Sequence, residues 1–265
     1  LMVPNNWKNG VALLGGFVFY VWGAPIFALI LLASGSADYF ISFKFKDNLQ
    51  SKKWLQFGVG LNLAMLFVFK YFNFFTENFK LALGAIGFGF PTYMEVVLPI
   101  GISFFTFQKI SYLIDVHRGD SPLSKSLANY LLFVFLFPQL IAGPILRYKQ
   151  LASQITERFE TDSWQTRLSG FYRFALGLAK KVLIADTLAP LVDNAFGSDH
   201  LGFYSAWIGL LAYSMQIYFD FSGYSDMAIG LGKMMGFQFP ENFNWPYISS
   251  GFQEFWRRWH MTLSH

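Results

Sequence analysis

Residues 213–265 contain the side chains whose types and spacing could do chemistry. Two aspartates, Asp220 and Asp226, interrupt an otherwise apolar run, and a Trp-Arg-Arg-Trp-His box that ends at His260 follows them. Ionisable groups are costly to keep in an apolar membrane segment, so they mark a candidate functional site. An imidazole with a pKa of about 6.5 can take a proton from a hydroxyl and return one to a leaving group. His260 is therefore the candidate proton-transfer residue.

Four polar residues close to His260 in the sequence are candidates for binding a substrate. Asn242 and Asn244 can bond to backbone groups or to sugar hydroxyls, although asparagine beside proline more often forms a turn. Arg257 and Arg258 can hold anionic groups, or they can anchor the chain at lipid headgroups. The residues alone favour an interfacial anchor that His260 merely completes.

The spacing of residues at the end of the sequence predicts one amphipathic helix over residues 250–265. Ser250 and Gln253 have the spacing of a capping box, and Glu254 has the spacing for an ion pair with Arg258. Such a helix places five apolar side chains on one face: Phe252, Phe255, Trp256, Trp259 and Leu263. His260 then lies at the flank of this face, between apolar and polar surroundings.

The two aspartates lie six residues apart, which places them on nearly opposite faces of a continuous helix. A break at Ser222 and Gly223 would let both aspartates face one cavity. The alternative is that each pairs with a lysine or arginine of a neighbouring helix for structural reasons. The sequence leaves both possibilities open.

Several long strings resemble the membrane-bound O-acyltransferase family. They are YFDFSGYSDMAIGLGKMMGF, FPENFNWPY and EFWRRWHMTLS, preceded by LPIGISFFTFQKISYLIDVHRG and FPQLIAGPILRY. The resemblance implies a ring of helices around a central tunnel, in which a donor's acyl group meets its acceptor. The histidine of the FWRRWH string is one of two characteristic histidines of the family, and His260 occupies its position. The other is expected beyond residue 265, so the chain is expected to be a fragment, incomplete at both ends and inactive alone.

The same resemblance implies a function. An enzyme of this family would move an acetyl or other acyl group from a cytoplasmic thioester, such as acetyl-CoA, toward hydroxyls of an exported polysaccharide such as alginate. No bound cofactor is expected. The expected partners are membrane lipid and periplasmic acetyltransferase or polysaccharide-modification proteins, and the expected location is the bacterial inner membrane. A transporter or channel and a non-catalytic subunit of an export complex are the alternatives.

Composition places the chain in a membrane. It is 54% hydrophobic, 20% aromatic and 14% charged, with a mean hydropathy of +0.37, which leaves too little polar surface for a soluble protein. The uncharged residues 9–37 exceed the roughly 20 needed for a crossing, and residues 201–219 come close. The net charge of +4 comes from short clusters at the ends of apolar runs, which indicates positive-inside topology rather than nucleic-acid binding. The absence of cysteine and the dispersed histidines indicate no metal site.

The elements that would position these groups are predicted to be helices of a single domain over residues 1–265. The fold class is all-α, a polytopic membrane bundle with re-entrant or broken helices around the tunnel. A bent or re-entrant path is expected at residues 127–146, where prolines interrupt an uncharged run. His117 and His200 are expected in solvated loops, and His265 on the polar face of the last helix. The other helices are predicted at residues 10–22, 25–43, 54–69, 167–186, 201–219 and 221–237.

Overall fold

The computed structural model describes six stretches of the chain, residues 3–47, 52–89, 95–140, 143–157, 163–198 and 202–264. Within these stretches the chain forms helices and no strands, which confirms the all-α prediction. The helices fall into two compact units, Leu1–Ile141 with Arg147–Ile155, and Ala142–Leu146 with Thr156–His265. The single domain remains a prediction.

The helices of the first unit begin with a pair separated by one residue. Ala24 lies outside both helices, as predicted, because Pro25 starts a helix well at its first position. The helices of this unit are α1 (Asn5–Gly23), α2 (Pro25–Asp47), α3 (Lys52–Ala85), α4 (Ile102–Arg118), α5 (Leu127–Val134) and α6 (Tyr148–Glu157). The last two residues of α6 belong to the second unit.

α3 is longer than predicted. The sequence predicted a helix over residues 54–69, whereas the helix continues to Ala85. No proline interrupts it, and the side chains of Thr76 and Asn78 donate to the carbonyls of Phe72 and Phe74, four residues back. Among the described residues, two helices are long and apolar enough to cross a membrane, Pro25–Phe45 and Lys52–Ala85.

A fully buried ion pair joins three helices of this unit. Lys109 Nζ of α4 lies 3.4 Å from Asp38 Oδ2 of α2, and both side chains have no exposed surface. The amide of Asn62 in α3 donates to Asp38 Oδ1 at 2.8 Å, and Lys109 donates to the Ser34 hydroxyl at 2.8 Å. A charge buried without a partner is expensive, so this pair fixes how the helices meet.

The predicted interruption between residues 127 and 146 is present. α5 ends at Val134, and a short 3₁₀ turn, Phe137–Gln139, follows it. The buried Gln139 amide donates to the Phe133 carbonyl at 2.9 Å, which satisfies one acceptor at the open end of α5. The helix is therefore broken, and a re-entrant course remains a prediction.

The second unit is built around two long helical stretches. The predicted helix over residues 167–186 lies within the first, which passes through a π-helical turn and continues beyond the predicted end. The elements are α7 (Trp164–Ala179), the π turn (Lys180–Ala185), α8 (Asp186–Phe196), α9 (Phe203–Met234), α10 (Phe252–Arg258) and α11 (Met261–Ser264).

α9 runs without a break through Ser222 and Gly223, so the prediction of a new helix after Gly223 is wrong. Gly223 instead allows close packing, because a Cβ added to it would lie 2.7 Å from the Gly177 carbonyl oxygen of α7. Conversely, a Cβ added to Gly177 would lie 2.5 Å from the Gly223 carbonyl oxygen. A Cβ added to Gly170 would lie 2.7 Å from the Gly230 carbonyl oxygen. α7 and α9 therefore pack backbone against backbone, as helices with small residues at their interface do.

The predicted helix at the end of the chain is also interrupted. α10 ends at Arg258, and His260 has a φ of 46°, in the left-handed region. The backbone N–H of Asn244 donates to the backbone carbonyl of Arg258 at 2.9 Å, and the backbone N–H of Met261 donates to the backbone carbonyl of Asn242 at 2.9 Å. These bonds to residues 242–244 draw the chain away from a helical course.

The start of α10 also differs from the predicted capping box. The Ser250 backbone amide and hydroxyl both lie 3.0 Å from a carboxylate oxygen of Glu254, and not against Gln253 as predicted. Because a glutamate is a better acceptor for these two donors than an amide, the first turn closes on Glu254. The predicted ion pair between Glu254 and Arg258 is confirmed, at 2.9 Å.

Candidate active site

Asn242 holds the imidazole of His260 in one orientation. His260 Nδ1 lies 2.9 Å from Asn242 Oδ1, and the same oxygen accepts the Thr262 backbone N–H at 3.3 Å and its hydroxyl at 2.9 Å. A backbone N–H can only donate, so the acceptor is the amide oxygen and the proton of this contact sits on Nδ1. In the neutral ring, Nε2 then carries the lone pair that can take a proton.

The oxygen that orients His260 is itself held in place. The Thr262 hydroxyl accepts the Ile145 backbone N–H at 2.9 Å, so its own proton is directed to Asn242. Asn242 is fully buried, and its amide nitrogen has no hydrogen-bond partner among the described residues. Thr262 completes a line of hydrogen bonds from the backbone to the imidazole.

An aromatic ring packs against the half-buried His260 imidazole. The ring packs edge-on against Phe221, with centroids 4.9 Å apart, and the neighbouring Trp259 ring stacks on Phe255 at 5.5 Å. Burial lowers the pKa of His260 below its usual 6.5. The imidazole is therefore neutral at pH 7, which is the form that a general base requires.

A cavity of about 880 Å³ lies beside this site in the second unit. Asp226 and Asn244, two of the predicted site residues, line it, as does Met261, the residue after His260. The buried hydroxyls of Ser222 and Ser225 line it without a hydrogen-bond partner in the described part of the chain. The charged side chains of Arg173, Lys180 and Glu241 also line it. The rest of the lining is apolar or aromatic: Leu176, Ala179, Leu183, Ile184, Tyr218, Phe219, Phe243 and Trp245.

Asp226 lies at the polar end of this cavity and is paired with two cations of the neighbouring helical stretch. Its Oδ1 lies 2.6 Å from Arg173 Nη2, and its Oδ2 lies 2.6 Å from Lys180 Nζ. Arg173 Nη2 also contacts Glu241 Oε2 at 2.5 Å. The pairing predicted as the structural alternative is therefore present for Asp226.

Asp220 faces elsewhere, so of the two possibilities that the sequence left open, the one in which both aspartates face one cavity is not realised. Its carboxylate lies 2.8 Å from Lys181 Nζ, which also binds Asp186 at 2.6 Å. The cavity lining includes Asp226 and not Asp220. The continuity of α9 explains the difference, since residues six apart point to nearly opposite sides of a helix.

Three of the predicted residues are exposed or half-buried: Asn244, Arg257 and Arg258. Asn244 is exposed, and its carbonyl accepts a hydrogen bond from Arg258 at 3.2 Å. Arg257 is exposed in the last turn of α10, and the cavity lining includes neither arginine. Among the described residues, no group of three or more histidines, aspartates or glutamates could hold a metal ion.

The other histidines do not join this site. His117 was expected in a solvated loop, but it lies in the last turn of α4, with its ring 5.3 Å from that of Phe45. The α4 helix continues past Asp115 to a left-handed Gly119, which places His117 inside it. His200 and His265 lie outside the described residues.

Comparison with known proteins identifies the family. The sequence profile of MBOAT, the membrane-bound O-acyltransferase family, matches residues 122–265. The chain belongs to this family. It is 45% identical to a probable alginate O-acetylase of Pseudomonas aeruginosa, over 98% of this chain and 50% of that protein. It is 36% identical to a peptidoglycan O-acetyltransferase of Helicobacter pylori, over 99% of this chain and 54% of that protein.

A more distant relative matches a smaller part of the chain. A teichoic acid D-alanyltransferase of Bacillus subtilis is 30% identical over 62% of this chain and 42% of its own length. The chain spans about half the length of the curated relatives that it matches along its whole course. The resemblance inferred from the sequence is thereby confirmed, and the two apolar helices agree with a membrane-bound family.

Proposed function

We propose that this protein is a multi-pass enzyme of the bacterial inner membrane that moves an acetyl or other acyl group from a cytoplasmic thioester to hydroxyls of an exported polysaccharide. Acetyl-CoA is the proposed donor, used as a substrate with no cofactor bound. The names of two relatives support this, since they describe O-acetylation of alginate and of peptidoglycan. Membrane lipid and periplasmic polysaccharide-modification proteins are the proposed partners.

The hydrogen bond from His260 to Asn242 carries the proposal. It leaves Nε2 as the basic atom, and burial keeps the ring neutral. In the proposed reaction, Nε2 takes the proton of the acceptor hydroxyl while the hydroxyl oxygen forms a bond to the thioester carbonyl carbon. The carbon–sulfur bond then breaks, and the imidazolium returns its proton to the departing thiolate.

The cavity beside His260 is the proposed place for the acyl-bearing arm of the donor. Its walls are mainly apolar, and the unpartnered Ser222 and Ser225 hydroxyls can bond to a carbonyl or amide of that arm. Asp226 and Asn244 line the same cavity and would contact the substrate there. We propose that this cavity belongs to the central tunnel, within the single acyltransferase domain.

Four further residues were predicted to bind the substrate, and their proposed roles differ. Arg257 and Arg258 would hold anionic groups of the donor or acceptor from the outer side. Asn242 is buried and bonded to the histidine, so its proposed role is to orient His260. Asp220 lies off the cavity, paired with Lys181, and its proposed contact is with a part of the substrate outside the cavity.

The test is acyl transfer by the full-length protein in lipid vesicles, supplied with radiolabelled acetyl-CoA and an acceptor polysaccharide. The variant is His260→Asn, because asparagine tolerates the left-handed backbone at this position. We expect loss of a general base to reduce label transfer by about 10²- to 10⁴-fold. The matched control is His117→Asn, which removes an imidazole from the first unit and should leave transfer unchanged.

The same vesicles distinguish the alternatives. A transporter or channel would carry solute across the vesicle membrane without acetyl-CoA and independently of His260. A non-catalytic subunit would transfer no label unless its partner proteins were added, and then His260→Asn would have no effect. Transfer that persists in His260→Asn would refute the role given to this residue.

A further inference from the structure

Arg173 connects the helices of the second unit to the segment that holds Asn242. From α7, its Nε donates to Asp226 Oδ1 of α9 at 2.8 Å, and its Nη2 lies 2.6 Å from the same oxygen. Its Nη2 also contacts Glu241 Oε2 at 2.5 Å. One guanidinium therefore binds a helix and a non-helical segment at the same time, which a planar group with several donors can do.

Glu241 is the residue directly before Asn242. Its side chain is 53% exposed, and Arg173 is the partner that the structure gives it. Asn242, in contrast, is fully buried, and its side chain accepts the hydrogen bond of His260. A displacement of Glu241 would therefore be passed to the amide that orients the imidazole.

The electrostatics around Arg173 favour a fixed position. Asp226 is shared between Arg173 and Lys180, and Arg173 is shared between Asp226 and Glu241. Two cations and two carboxylates thus form a chain with no net charge. The close contact of α7 with α9 at Gly177 and Gly223 keeps the helical end of this chain rigid.

We propose that Arg173 is a positioning residue, which sets the orientation of His260 through Glu241 and Asn242. Neither Arg173 nor Glu241 touches the imidazole, and their effect is on where it points. The effect on catalysis rests on the proposed function, whereas the effect on the imidazole itself does not.

The chain offers a matched control on the same helices. Lys181 forms ion pairs with Asp186 and Asp220, and its side chain is 39% exposed, compared with 30% for Arg173. These contacts join the π turn, α8 and α9 but do not include residues 240–244. Asp220 precedes Phe221, which packs on the His260 ring, but both lie inside the continuous α9 helix, so the helix and not this ion pair fixes Phe221. Lys181→Met therefore removes an ion-pair network of similar exposure that leaves the segment holding Asn242 in place.

The experiment measures the imidazole directly. Diethyl pyrocarbonate reacts with a neutral histidine nitrogen, and mass spectrometry gives the rate at His260 with His117 as an internal reference. In the full-length protein in vesicles, we expect Glu241→Ala to raise the His260 rate by up to about fivefold, the equivalent of about 1 kcal/mol for an exposed ion pair. Arg173→Met should raise it at least as much. Lys181→Met should leave it unchanged.

Two further measurements separate positioning from general damage. Glu241→Gln keeps an acceptor oxygen for Arg173 and should restore most of the native rate. Arg173 and Glu241 also line the cavity proposed for the donor, so Glu241→Ala should change both kcat and KM in acyl transfer, and His260 reactivity without donor is the measurement that reports orientation alone. Glu241→Ala is the decisive variant, since it changes an exposed side chain and should fold.

The outcomes are distinct. Equal His260 reactivity in Glu241→Ala, Lys181→Met and the native protein would overturn the proposal. Altered reactivity in Glu241→Ala, with no acyl transfer even by the native protein, would support the positioning role and refute the proposed function.

Discussion

Replacing Gly177 with alanine should force α7 and α9 apart at the level of the Asp226 ion pairs. The added Cβ would lie 2.5 Å from the Gly223 carbonyl oxygen, 2.7 Å from the Met227 backbone nitrogen and 2.9 Å from Asp226 Cβ. Two of these are backbone atoms and the third is fixed to the backbone, so no side chain can rotate away. The nearest contact is about 0.9 Å shorter than the 3.4 Å at which ordinary contact begins.

Two effects oppose each other in this variant. Overpacking of a well-packed interface typically costs about 1–3 kcal/mol. Alanine in place of glycine within a helix returns up to about 1 kcal/mol. We therefore expect the Gly177→Ala variant to be less stable by about 1–2 kcal/mol, a lowering of the melting temperature by about 2–8 °C for a domain of this size.

The control is Gly15→Ala in α1, where an added Cβ meets no atom within 4 Å. It receives the helix-propensity benefit alone, so its stability should be equal to or slightly above that of the native protein. Thermal unfolding of both variants in the same detergent, followed by intrinsic tryptophan fluorescence, measures the difference. A melting temperature for Gly177→Ala equal to or above that of Gly15→Ala would refute the close-packing argument.

Three other predictions concern the site and the first unit. Burial lowers the pKa of His260, so acyl transfer should lose activity only below pH 6.5. Asn242→Asp places an anion beside the ring and stabilises the imidazolium, so the pH at which activity is lost should rise by about 1–3 units. An unchanged pH profile would exclude the hydrogen bond between Asn242 and His260. Lys109→Met should destabilise the protein by about 3–5 kcal/mol, since it leaves Asp38 buried without its cation. The double variant Lys109→Met with Asp38→Asn should recover much of that loss in a melting experiment, and strictly additive losses would contradict the pairing. Thr262→Val should cost about 1 kcal/mol, because it leaves the part-buried Ile145 backbone N–H without its acceptor, whereas Thr262→Ser should melt like the native protein.

The parts of the fold that depend on local sequence were predictable. The break at Ala24 follows from Gly23 and Pro25, and the Glu254 to Arg258 ion pair follows from helical spacing. The pairing of Asp226 with cations was one of two predicted alternatives, and Arg173 and Lys180, seven residues apart, are spaced to reach it from one face of a helix. The break and the Glu254 ion pair need no knowledge of distant neighbours, whereas the partners of Asp226 lie 53 and 46 residues away in sequence.

The parts that depend on tertiary contacts were not predictable. Gly223 suggested a break in α9, but α7 approaches it so closely that the glycine is used for packing within a continuous helix. The left-handed backbone at His260 arises from hydrogen bonds to Asn242 and Asn244, about sixteen residues away in sequence. The role of Thr262 depends on the same contacts, and no sequence signal marks it.

The π-helical turn at Lys180–Ala185 has a consequence for how this chain can vary in length. A turn of this kind holds one residue more than an α-helical turn. Losing one residue there would restore regular helical winding without opening the backbone, yet it would rotate every later side chain by about 100° relative to those before it. Ala195 of α8, whose Cβ lies 2.6 Å from the position of a Cβ added at Gly209, would then turn away from α9. The extra residue thus sets the rotation of α8 relative to α7, so that the cations of α7 and the π turn and the packing face of α8 all contact α9.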